Sequence, residues 1–122
     1  MQGFLRIPMR PYCGILVATA DKAVFTRKFK EMYGRESVIE DGVLGHCASG
    51  MNRKRNEWTC LVYAETAVDL AHELSHAVIS LFDRVGIPIN QANDEAFCYM
   101  LSQLMSDTRS LYETRRNKGV RK

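Results

Sequence analysis

Val68-Asp69-Leu70-Ala71-His72-Glu73-Leu74-Ser75-His76-Ala77-Val78-Ile79-Ser80-Leu81-Phe82-Asp83-Arg84 is the stretch on which the fold turns. Val68, Ala71, Leu74, Ala77, Val78, Leu81 and Phe82 recur at three- and four-residue steps, which predicts a helix over about Ala64 to Arg84 with a broad apolar face. Gly86 and Pro88 end it, the first because it tolerates positive φ and the second because it cannot donate to a helical ladder. Within this helix His72 and His76 stand four residues apart, one above the other, so both imidazoles can meet one ion. Glu73 sits beside the first of them, where its carboxylate can reach a water held at that ion. Two of the chain's three histidines are therefore gathered around one carboxylate.

Zinc with an open water position needs a third protein ligand. Glu95 leads, because it follows the Gly/Pro turn and opens the next apolar pattern, Asn93 to about Leu111, in which Phe97, Met100, Leu101, Leu104, Met105 and Leu111 predict a core-facing helix. Asp94 is one position away and His46 lies on a preceding candidate strand, so both stay open as alternatives. Supporting roles fall to Asp69, three residues before His72, and to Tyr99, four after Glu95. His46 and Tyr112 are the candidates for stabilising an oxyanion.

Upstream, Tyr12 to Ala18 is a continuous apolar run that predicts a buried first strand. Thr19 is placed to cap a helix through Tyr33, with Val24, Phe25, Phe29 and Met32 facing inward and Gly34 as its stop. Val43 to Met51 and Trp58 to Tyr63 read as neighbouring strands across the polar turn Asn52 to Asn56. Trp58, Cys60 and Val62 share one face of the second strand, while Thr59, Leu61 and Tyr63 share the other. The expected order is β-α-β-β-α-α in an α+β domain with a small antiparallel or mixed sheet. Residues 1–11 form an extension, 12–111 the domain and 112–122 a basic tail. An exposed edge along Glu57 to Tyr63 is expected to receive an extended peptide as an added strand.

The whole chain sets the bounds. With 122 residues, 46% hydrophobic and 25% charged, it suits one folded domain with little room for a second module. The net charge of +3 is concentrated in the tail, where Arg115, Arg116, Lys118, Arg121 and Lys122 face only Glu113, leaving the domain near neutrality. No finger or aromatic-basic alternation announces a nucleic-acid module. No run reaches the length of a membrane span. Cys13, Cys47, Cys60 and Cys98 sit among small and apolar neighbours, which suits free thiols and a cytoplasmic setting. Secretion is the alternative, since Arg6 and Arg10 precede the short apolar run Cys13 to Ala20.

His72-Glu73-Leu74-Ser75-His76 together with Asp94-Glu95-Ala96-Phe97-Cys98-Tyr99 resembles the gluzincin-type zinc metallopeptidases, over roughly residues 12 to 111. The resemblance implies a compact zincin-like fold, Zn2+ held by His72, His76 and Glu95, Glu73 as general base, and a protein or peptide substrate. Glu95 to Met105 is also similar, more weakly, to the second metal helix of repressor-cleaving peptidases of mobile elements. Tyr99 departs from the pattern, because many members carry aspartate there. A zinc-stabilised structural or regulatory interaction protein is the rival expectation.

Overall fold

The computed structural model describes residues 3–37 and 39–113. Four strands and three helices follow in the order β1 (Leu5–Pro8), β2 (Ile15–Thr19), α1 (Lys22–Tyr33), β3 (Gly45–Asn52), β4 (Glu57–Ala64), α2 (Ala67–Val85) and α3 (Asp94–Thr108). They form one mixed sheet in the order β1-β2-β4-β3, with β2 parallel to β4 and the other two pairings antiparallel.

β4 explains the layering. Cys60 through Ala64 are at most 1% exposed, because successive side chains enter cores on opposite faces. Leu61 and Tyr63 join Val17, Phe25, Phe29 and Met32 beneath α1. Cys60, Val62 and Ala64 join Leu70, Leu74, Val78, Leu81, Met100 and Leu104 beneath α2 and α3. The alternation read along this strand is thus the boundary between two cores. The strand is paired on both sides, so the expected peptide-receiving edge along Glu57 to Tyr63 does not exist. Among the described residues, the edge strand beside α2 is β3.

Local chemistry sets the ends of the helices. Asp21, not Thr19, caps α1, its carboxylate accepting from the Ala23 and Val24 amides. The Thr19 hydroxyl is engaged elsewhere, donating to the Gly3 carbonyl and accepting from the Asp21 amide. Gly34 and Gly86 close α1 and α2 in the left-handed region, at φ 75° and 80°. Thr66 caps α2 by accepting from the Asp69 amide, and its hydroxyl donates back to the Asp69 carboxylate at 2.7 Å.

The structure adds a strand, since Leu5–Pro8, within the expected extension, pairs with β2. It also rotates part of α2: Val68, expected inward, is 81% exposed, while Leu70 is buried. Met105, expected to cover the core, is 38% exposed. The basic tail from residue 114 onward lies outside the described residues. No helix among the described residues is long and apolar enough to cross a membrane. All four cysteines are free thiols.

Candidate metal centre

The side chains of His72, Glu73 and His76 offer ligand atoms that all lie within 4.8 Å of one another. The two imidazoles stand edge to face with ring centroids 4.9 Å apart, as the four-residue helical step requires. A tetrahedral zinc ion with nitrogen ligands needs those atoms about 3.3 Å apart, so a modest change of side-chain torsion closes the cluster on an ion. Both histidines are exposed, which leaves the outer side of the cluster open to water or substrate.

Glu73 differs from its partners in being only 9% exposed. It leaves α2 toward the sheet and lies against Gly45, the first residue of β3. A Cβ built on Gly45 would fall 2.8 Å from Glu73 Oε2 and 3.0 Å from its Cγ. Real Cβ atoms essentially never make the closer contact, so a side chain at position 45 would force the Glu73 carboxylate to shift from this place. Cys47, two residues on and facing the same side, has its thiol pushed up by burial first, then by Cys60 and by the Glu73 carboxylate. The base candidate is thus wedged between its own helix and the edge strand.

The other candidates are placed elsewhere. His46 pairs across from Tyr63 and its ring meets Phe25 edge-on at 5.6 Å, on the α1 side of the sheet, whereas the cluster lies on the α2 side. Strand alternation makes this unavoidable once Gly45 faces Glu73. His46 is therefore removed from the set of third ligands and oxyanion donors. The Asp69 carboxylate is engaged by Thr66 at the start of α2. Tyr112 donates its hydroxyl to the Ala64 carbonyl at 2.7 Å, at the end of β4. Tyr99 is 72% exposed.

Neither Glu95 nor Asp94 belongs to the ligand cluster. Phe97 packs on Phe82 with ring centroids 6.3 Å apart, while Ala67 and Leu70 share a cavity with Met105, Arg109 and Tyr112. α2 and α3 therefore run antiparallel, and the first turn of α3 lies level with the last turns of α2. Phe82 is six residues from His76, roughly 9 Å along the axis. Glu95 is also two positions from Phe97, about 200° around the helix, so it stands with Tyr99 on the exposed side.

No protein-family model matches the chain, and neither a curated protein nor a solved structure matches it. What the structure establishes is a His-Glu-x-x-His motif on the central helix of a compact α+β domain, with a ligand cluster able to hold a metal ion, features consistent with a zincin-type fold.

Proposed function

We propose that this protein is a zinc-dependent peptidase, with His72 and His76 as metal ligands and Glu73 as general base. One observation carries the reading: the two imidazoles are exposed while the carboxylate between them in sequence is held nearly buried against Gly45 of the edge strand β3. Two imidazoles and a carboxylate suit zinc by donor type. When bound, zinc polarises a carbonyl and lowers the pKa of water.

The chain's own groups supply the remaining steps. Among the described residues the outer side of β3 has no strand partner, so an extended peptide can pair with it and bring its carbonyl past Gly45 toward the histidines. Leu44, next to Gly45, and Val68, one turn before His72, are 53% and 81% exposed, giving the approach apolar ground for a peptide's side chains. Glu73 takes the proton of the attacking water and passes it to the leaving nitrogen. Its confinement beside Gly45 holds the carboxylate in one place for both transfers. Glu95, the third ligand implied by the gluzincin resemblance, with Asp94 as its neighbouring alternative, completes the set if the first turn of α3 moves toward α2 on metal binding. Such a movement has to displace the Asn93 side chain, which donates to the Pro88 carbonyl at 3.0 Å, and the packing of Phe97 on Phe82.

A second reading has its own support. Because Glu73 already lies within the ligand cluster, it can act as the third ligand of a structural or regulatory zinc site. Glu73→Gln separates the two. The peptidase reading expects zinc to stay bound at unchanged stoichiometry while hydrolysis of a denatured-protein substrate disappears. Loss of zinc together with an absence of hydrolysis in the parent chain supports the second reading and defeats the first.

A further inference from the structure

We infer that the cleft at the opposite end of the sheet, where the β3–β4 turn, the loop before β2 and the end of α2 meet, is a binding site for a small organic anion with an apolar body and a carboxylate or phosphate head. The cleft is about 510 Å³, within the range that holds small ligands. Two of its walls are cationic. The side chains of Arg10 and Arg84 have no carboxylate partner among the described residues, and the one acid lining the cleft, Glu57, is already engaged by Arg6.

Tyr12, Trp58 and Met51 supply the apolar surface. Arg84 lies over the Trp58 ring, 5.1 Å from its centroid, a position that keeps a guanidinium poised at the cleft without neutralising it. Trp58 Nε1 is buried and has no acceptor among the described residues. Two guanidiniums without a carboxylate partner among the described residues, against one acid already paired with Arg6, favour an oxyanion over a cation as the guest.

Arg84 is eight residues from His76, roughly 12 Å along α2, so this site is separate from the metal cluster. Its occupation does not depend on the peptidase reading.

Trp58 is the chain's one tryptophan, so its emission reports directly on the cleft. The test is a fluorescence titration of the full chain at constant ionic strength, with a chelator present so that no anion can report through a metal at His72. Phenyl phosphate and benzoate share a body and differ in head, and benzyl alcohol lacks the charge. Saturable changes with one or both anions, absent with benzyl alcohol and weakened roughly tenfold or more in Arg10→Gln and Arg84→Gln, are expected. The tighter of the two anions identifies the head group. No saturable response to either anion, an equal response to benzyl alcohol, or anion binding unchanged in both arginine variants would overturn the site.

Discussion

Gly45 is the residue on which the geometry of the site depends most sharply. Its lack of a side chain is not a matter of backbone freedom, since the residue lies in a regular strand. It is a matter of space, because Glu73 occupies the volume a Cβ would fill. Gly45→Ala should therefore leave the fold intact and push the carboxylate out of line. In the proposed peptidase, a displacement of about 1 Å is enough to lower kcat roughly a hundredfold with little change in KM. A full-speed Gly45→Ala enzyme would show that Glu73 has no need of its present position. This dependence was not legible in the sequence, where Gly45 is one more small residue before His46. It appears only when the register places Gly45 opposite Ala64 on the α2 side. His46 was misread for the same reason, since its face follows from its pairing with Tyr63. Asp69 was legible in another way: Thr66-x-x-Asp69 has the spacing of a helix cap, and that is the hydrogen bond the side chain makes.

Among the elements, α2 was read most fully and β1 least. The Gly86 stop and most of the inward stripe of α2 follow from periodicity and punctuation alone, which is why the sequence places the histidine pair on one helical face. Leu74 holds that helix to the sheet and is completely buried. Leu74→Ala should cost about 2–5 kcal/mol in denaturant unfolding, and a cost below about 1 kcal/mol would mean that the contact between α2 and the sheet is loose. The direction of Glu95 also had a signal in the sequence, because it lies out of phase with Phe97, Met100, Leu101 and Leu104. Its distance from His76 had none, since the axial offset of α3 is set by the packing of Phe82 on Phe97. If metal binding draws the first turn of α3 inward, Glu95→Ala should weaken zinc binding about tenfold or more, read by competition with a chromophoric chelator. Unchanged affinity would leave Glu95 outside the ligand set. β1 escaped notice because four residues ending in proline give too short an alternation to distinguish from an extension.

At the scale of the whole molecule, the domain is one sheet between two cores, and both cores contain acids held neutral by burial. Burial pushes the Cys60 thiol from its ordinary 9.0 up to about 12. It is also the main reason that the Tyr63 phenol rises from 10.0 to about 12, with the hydrogen bond to Glu65 adding to it. In both cases the folded state holds its proton above the pH at which the unfolded chain releases it. The stability they contribute is complete below about pH 9 and declines as pH rises toward about 12. Urea midpoints measured across that window should fall, and Cys60→Ala should lessen the slope between pH 9 and 12. A flat profile would mean that these groups titrate normally in the folded chain.

The arrangement of sheet, edge strand and histidine helix converges on Glu73, and so does the most direct test. Zinc stoichiometry and peptide hydrolysis should be measured side by side for the parent chain and Glu73→Gln. One zinc is expected in each, with hydrolysis in the parent and its loss in the variant. Hydrolysis that survives in Glu73→Gln, or a parent chain that binds no zinc through His72 and His76, would contradict it.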